Sequence, residues 1–348
     1  GVSDTVVYLG HHYGDKKYVV DTTSIDSKGI AIFSGEKELN KGIYLVVMPS
    51  MNMTYFEILI SENKKFSIET DTSNYVTNMK VKGCKENELF NIYQRKMADL
   101  QLERTELQNQ LEAAGEDESQ TKEIQEQITK FNKDRVAYID KLIKENPNLF
   151  FTKILLALKE IEIPDAPIDE NGEVIDPDFQ YKFYKKHYFD NLDFTERGLI
   201  RTPLLESKIN YYFEKMVVPI PDSLIKEANI LITKAYEAGD SLMYRYMASH
   251  LLRYFETSKI MGFDAVFVNI AENWYLNGKA YWTDDEFLEK LRERVVKISP
   301  NLIGNIAPNL MRMQTSDDKF VSLSLINADY TVLVFWEPEC GHCKKLVP

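Results

Sequence analysis

The stretch Val76-Thr77-Asn78-Met79-Lys80-Val81-Lys82-Gly83-Cys84-Lys85-Glu86-Asn87-Glu88-Leu89-Phe90-Asn91-Ile92-Tyr93 is where the chain changes its period. Up to Val81 the apolar residues come in short, partly alternating runs. From Lys85 they recur every three or four residues. A period of two suits a strand with one face buried, and a period near 3.6 suits an amphipathic helix. The chain is therefore expected to be multidomain α+β, with a β-rich domain over residues 1–84 followed by an all-helical domain over 85–305.

Working back from this junction, runs rich in Val, Ile, Tyr and Phe lie at 6–8, 18–22, 30–33, 43–47, 55–60, 66–70 and 76–81. Turn signals separate them, among them Gly14-Asp15, Ser27-Lys28-Gly29, Asn40-Lys41-Gly42 and Ser61-Glu62-Asn63. Strands at this spacing predict an antiparallel sandwich or small barrel. No catalytic constellation stands out in it. His11-His12 is the one tempting pair, but neighbours in a strand point to opposite faces and chelate poorly, so a surface turn is the expectation.

Working forward, Tyr93, Met97, Leu100, Leu107 and Leu111 fall on one helical stripe, and Ile124, Ile128, Phe131, Tyr138 and Leu142 on another. Between them Gly115-Glu116-Asp117-Glu118-Ser119 reads as a polar turn with Ser119 as helix cap. The two stripes predict an antiparallel helical hairpin over 86–146, each arm about 40 Å long at 1.5 Å per residue. A solvated structural hairpin and a docking arm for a partner both fit it. Residues 163–178, with three prolines and Asn171-Gly172, predict a long loop, and long loops tend to be functional or mobile. Helical stripes then resume to Ile298, in the manner of stacked helical hairpins. His187 and His250 lie within such stripes without ligand-type partners at metal spacing, and both read as structural.

The chain has 348 residues and a formal net charge of -12. That charge repels a phosphate backbone, and no basic cluster offsets it, so nucleic acid is not an expected partner. The longest apolar runs are of strand length, well short of the ~20 residues a membrane span needs. Three cysteines are too few for a disulfide scaffold. Cys84 stands alone and reads as a small buried apolar group.

After Ser299-Pro300 the pattern changes again, and residues 306–348 are expected to begin an α/β segment. Runs at 310–314 and 320–325 read as strands, and 331–336 (Thr-Val-Leu-Val-Phe-Trp) as a strand buried on both faces. Glu337-Pro338-Glu339 closes it, and Cys340-Gly341-His342-Cys343-Lys344-Lys345 opens a helix. A helix start supplies unpaired amides and a positive dipole end, which lower the pKa of a first thiol. Cys340 would attack a substrate disulfide and Cys343, one turn on, would resolve the mixed disulfide. Zinc would need two further ligands that the spacing does not offer. A haem attachment site would need His directly after the second Cys, where Lys344 stands. No cofactor is called for.

Residues 308–348 resemble the opening of thioredoxin-like proteins of the TlpA/ResA and AhpC/TSA type. The likeness runs from Ala307-Pro308 through Phe335-Trp336 to the C-x-x-C and Lys344, with Pro348 at the family's helix-kinking position. It implies a thiol-disulfide oxidoreductase acting on protein thiols and disulfides and re-reduced by a thioredoxin-type electron donor. By the same analogy His342 stabilises the thiolate, with a potential toward about -180 rather than -270 mV. Trp336, Gly341 and Lys344 are the implied positioning residues. Val334 stands where the family buries an Asp, so Glu339 or Glu337 would have to serve as proton acceptor. A β-rich domain, a helical domain and a thioredoxin-like domain in this order resemble exported oxidoreductases of Gram-negative bacteria. That implies the periplasm or cell envelope and a lipid anchor ahead of the sequence. The family's remaining strands and cis-proline loop do not follow Pro348, so the segment is expected to be incomplete, disordered or irregularly packed, and catalytically poor. The alternative is a partner- or peptide-binding envelope protein with an auxiliary thioredoxin-like module. A peroxidase is disfavoured, because Glu337-Pro338-Glu339-Cys340 lacks the Thr or Ser and the Arg that peroxide reduction uses.

Overall fold

The structure, a computed structural model, describes residues 5–61, 65–115, 117–337, 339–341 and 343–346. Four antiparallel strands, β1 (Val6–Tyr13), β2 (Lys16–Ser24), β3 (Gly42–Met48) and β4 (Thr54–Ile60), form one sheet in the order β2-β1-β3-β4. Two short strands, β5 (Ser67–Glu69) and β6 (Lys80–Lys82), make a separate antiparallel ribbon. The period-2 pattern explains the layering. Leu9, Tyr44, Phe56, Ile58 and Ile60 point to one face and pack with Met79, Phe66, Ile68 and Val81 from the ribbon side. Ile43 and Leu59, opposite each other in the register, point to the other face and join the core of the helices. β3 is thus buried on both sides.

The 30–33 run is not a strand. Ile30 and Ile32 are exposed, and the Asp26 carboxylate accepts from the amides of Lys28 and Ile30 at 2.9 Å each. That local turn competes for the donors a ladder would need. The 76–81 run is shortened likewise. Asn74 Oδ1 accepts from the Val76 and Thr77 amides, leaving only Lys80–Lys82 to pair.

The first helix is fastened to the sheet by buried polar groups. β4 is an edge strand, and Asn87 on α1 (Lys85–Ala114) completes it: its Oδ1 accepts from Leu59 N and its Nδ2 donates to Leu59 O, both at 2.7 Å. Glu86 accepts from the Phe151 amide at 2.6 Å and from the Ser61 hydroxyl. α1 and α2 (Glu118–Glu145) form the hairpin, whose far half is held by its own cluster of Leu100, Leu107, Phe131, Met97 and Ile128. The α2 cap is Asp117 rather than Ser119. Its carboxylate accepts from the amides of Ser119 and Gln120, so Ser119 already lies inside the helix.

The helical body adds α3 (Phe150–Leu158), α4 (Phe179–His187), α5 (Pro203–Tyr211), α6 (Pro221–Glu237), α7 (Ser241–Glu256), α8 (Phe263–Ile270) and α9 (Asp285–Ile298). Proline at the start of α5 and of α6 costs no backbone bond, because first-turn amides have no helical partner. α5 and α8 each run on into a five-residue π turn, Tyr212–Met216 and Ala271–Tyr275. α6, α7 and α8 each touch the other two, so they make a three-helix cluster instead of the linear stack the stripes suggested. The loop at 163–178 is tied by an Ile168–Val174 bridge and an Asp169 side-chain turn. No helix of the described residues is long and apolar enough to cross a membrane.

Past α9 the chain forms β7 (Met313–Gln314) paired with β8 (Phe320–Val321), then an irregular stretch, then one helical turn, α10 (Cys343–Leu346). The predicted buried strand at 331–336 is not one. Phe335 is 81 % exposed and Trp336 53 %. Among the described residues no strand lies alongside to take up its backbone groups, and a lone apolar strand cannot bury either face.

Candidate functional site

Two places collect reactive side chains. The first is the C-x-x-C turn. The Cys340 amide donates to Glu337 O and the Lys344 amide to Cys340 O, 3.1 Å each, so the chain winds up at Cys340. The Cys343 amide then donates to Cys340 Sγ at 3.4 Å. The first sulfur thus stands where a capping side chain stands, and an amide aimed at sulfur favours its anionic form. No disulfide joins Cys340 to Cys343, and both are half-buried. Gly341 is exposed, as is Glu339, whose carboxylate lies 3.8 Å from Lys344 Nζ. Glu337 is exposed as well. Trp336 lies in the exposed apolar run. His342 and Pro348 lie outside the described residues.

The second place is a recess of about 310 Å³ between the β1–β2 turn and α5. The hairpin closes through Gly14, whose φ of +60° is the left-handed conformation its turn needs. The Gly14 amide donates to Ile200 O at 3.3 Å and the Asp15 amide to Glu206 Oε2 at 3.1 Å, which fixes the hairpin on the helical body. Tyr246 Oη donates to the same Glu206 oxygen at 2.9 Å, and the Tyr13 ring meets the Tyr246 ring edge-on. His250 stacks on Tyr246, shares a 2.8 Å hydrogen bond with Asn210 Oδ1 and lies 3.8 Å from Glu206. Burial pulls His250 below the usual imidazole value, against the opposing pull of Glu206 and Asp15. Burial and the neighbouring Glu206 push Tyr246 well up, so it stays a donor.

His12 forms part of the wall of this recess. It is 6 % exposed, its Nε2 has no hydrogen-bond partner, and the nearest charge is the Glu57 carboxylate at 3.7 Å. Glu57 reaches His12 across β3, since Gly10, two residues before His12, pairs with Leu45, which pairs with Glu57.

The profile of a family described as Domain of unknown function (DUF5106) matches residues 111–301, more than half of the chain. The chain belongs to this family. A second profile, Domain of unknown function (DUF4369), matches residues 1–90. No curated protein and no solved structure matches the chain. In this DUF5106 member the recess lies where the two matched regions meet, His12, Asp15 and Glu57 coming from the first and Glu206, Asn210 and His250 from the second.

The sequence reading put Cys340 and Cys343 three residues apart at a helix start, and the structure has one helical turn beginning at Cys343. It missed the recess. His11 and His12 do point to opposite faces, but inside β1 and not in a surface turn, with His12 buried. The missing signal was the length of β1, which runs past the 6–8 run as far as Tyr13. His250 finds its partners 40 and 44 residues upstream, on another helix, a separation at which no local spacing rule operates. His187 pairs with Asp190 at 2.5 Å on the surface, and Cys84 accepts from Asn87 Nδ2 at 3.2 Å beneath α1. Among the described residues no group of three or more His, Cys, Asp or Glu side chains could hold a metal ion.

Proposed function

We propose that the chain carries thiol-disulfide exchange at Cys340 and Cys343, as its resemblance to thioredoxin-like proteins of the TlpA/ResA and AhpC/TSA type implies. The observation that carries the reading is the Cys343 amide aimed at Cys340 Sγ, at the start of a helical turn. The Cys340 thiolate attacks a disulfide of a substrate protein, forms a mixed disulfide and expels one substrate thiolate. Cys343, as thiolate, attacks Cys340 Sγ and releases the second substrate thiol. Two electrons pass to the substrate, and a thioredoxin-type dithiol partner returns them. By the same resemblance His342, which lies between the two cysteines in sequence, stabilises the thiolate, and Lys344 follows the pair. The cell envelope, with a lipid anchor, is the compartment this reading goes with, because a disulfide substrate persists there.

The test is equilibration of the protein against glutathione buffers, with the Cys340–Cys343 disulfide followed by mass spectrometry and Cys340→Ala as control. A two-electron couple between about -270 and -120 mV is expected. Absence of a disulfide between the two cysteines at every poise would reject the reading.

A second reading, a partner- or peptide-binding protein in which the dithiol segment is auxiliary, is favoured by one observation: the recess between sheet and α5, with a buried, unpartnered imidazole nitrogen in its wall.

A further inference from the structure

One carboxylate oxygen holds the β1–β2 turn against the helical body, and a titratable ring stands beside it. Glu206 Oε2, on α5, accepts from the Asp15 amide at 3.1 Å and from Tyr246 Oη at 2.9 Å. A carboxylate oxygen has two lone pairs, so these two donors fill it. His250 Nδ1, on α7, lies 3.8 Å from the same oxygen, and both side chains are largely buried, 12 % exposed for His250 and 16 % for Glu206. Asn210 Oδ1 takes the other ring nitrogen at 2.8 Å. In the neutral ring the proton therefore sits on Nε2, and Nδ1 faces the carboxylate bare. Two acceptors facing each other make no bond, and a single proton turns them into an ion pair.

We propose that His250 is an acid-operated release for the β1–β2 turn. The incoming proton sits on Nδ1, and Nδ1–H donates to Glu206 Oε2. Such a charge-assisted bond is roughly twice as strong as a neutral one, so one of the two donors already there yields. Tyr246 lies one helical turn before His250 with its ring stacked on the imidazole, and its hydroxyl stays with them. The Asp15 amide makes the longer bond, its residue is exposed, and it leaves. The turn then rests on the Gly14 amide's 3.3 Å bond to Ile200 O and on the edge contact of Tyr13 with Tyr246. The groups facing the ring set the sign. Glu206 on α5 and Asp15 on the turn favour the proton, and Arg253 on α7 opposes it. Tyr246 and Tyr254 flank the ring, both pushed up and so neutral. Burial outweighs the carboxylates and holds the latched ring below the ordinary value of about 6.5. The released state, with Nδ1–H on a carboxylate, binds the proton more tightly. The turn is therefore latched above that value and released as the pH falls below it.

The release uses neither cysteine. NMR on the full chain would follow the His250 ring and the Asp15 amide from about pH 7.5 to 5.0. Protection of the Asp15 amide against hydrogen exchange, corrected for the intrinsic rate at each pH, is expected to fall at least threefold. The fall should share its midpoint, below about 6.5, with the His250 ring titration, while the amides of β3 keep their protection. His250→Gln can still bond Asn210 but takes up no proton, and is expected to keep Asp15 protection level across the window. Glu206→Gln is expected to level it too, because a neutral amide gives an imidazolium no counter-charge, with melting profiles checking that both variants fold. Protection that stays level in the parent would overturn the proposal. So would a midpoint that departs from that of the His250 ring, a comparison that needs no variant. A fall that persists in His250→Gln would trace it to His11 on the same hairpin or to the carboxylates themselves, and would overturn it as well.

Discussion

The recess under the β1–β2 turn and the C-x-x-C turn near the other end of the chain are built in opposite ways. The recess draws its groups from three strands and two helices, and each is fixed by something remote: Glu206 by Tyr246, Asp15 by Glu206, His250 by Asn210. The dithiol turn draws everything from a few consecutive residues, and its fixing bonds are local backbone bonds between Glu337, Cys340, Cys343 and Lys344. A site assembled by the fold stays as rigid as the core beneath it. A site assembled by local sequence can exist with little core at all, and the exposure of Phe335 and Trp336 beside it shows how little there is.

The largest test of this contrast pairs two aromatic deletions. Phe151 is 1 % exposed and packs edge-on against Phe90 and Tyr93, at the point where the sheet, the hairpin and the helical body meet. Phe151→Ala is expected to cost about 3–5 kcal/mol in urea denaturation, from lost burial plus the cavity left behind. Trp336→Ala is expected to stay within about 0.5 kcal/mol, as surface changes do. A Trp336 effect of comparable size would mean that the 331–336 run is packed in solution, and the contrast would fail.

What could be read from the sequence follows the same division. The switch of period at Lys85 and the hairpin stripes were legible because Leu100, Leu107, Ile124 and Phe131 repeat within a single element, and they are the residues buried between α1 and α2. Asp26 and Asn74 hid the fate of two runs, since a side chain that captures nearby amides overrides β propensity without altering the apolar pattern. The dithiol turn was legible because its chemistry is contiguous. The recess was not, because its meaning depends on which strand faces which helix. Nothing in the spacing of His12, Glu57, Glu206 and His250 says that they meet. Even where His12 could be placed in a strand, its burial depends on α5 lying over that face.

An intermediate effect is expected at the turn that closes the recess. Gly14 has a φ of +60°, and a Cβ built on it would overlap the Glu206 carboxylate. Gly14→Ala combines left-handed strain with a clash against a group that must hold still, for a loss of about 1–3 kcal/mol. The same variant should loosen the Asp15–Glu206 contact. Hydrogen exchange of the Asp15 amide is therefore expected to quicken, while the amides of α1 and α2 keep their protection. Uniform quickening would show that the hairpin and the helical body open together, making the recess part of the global core.

The smallest effect concerns acid. Burial lowers the affinity of His250 for a proton in the folded protein, with Glu206 and Asp15 opposing and Arg253 assisting, and Asn210, Tyr246 and Tyr254 completing its surroundings. The unfolded chain binds that proton first, near the ordinary imidazole value of about 6.5. The stability contributed by a neutral His250 is therefore fully present above that value, and is lost as the pH falls below it and through the lower folded value. His11 is shifted the same way, chiefly by its own burial, so it adds to the slope. His250→Gln removes the titrating group and keeps an amide that can bond Asn210. Urea midpoints at pH 7.5 and 5.0 are expected to differ less in that variant than in the parent, with the His11 share remaining. An unchanged slope would mean that Glu206 holds His250 charged through the whole window.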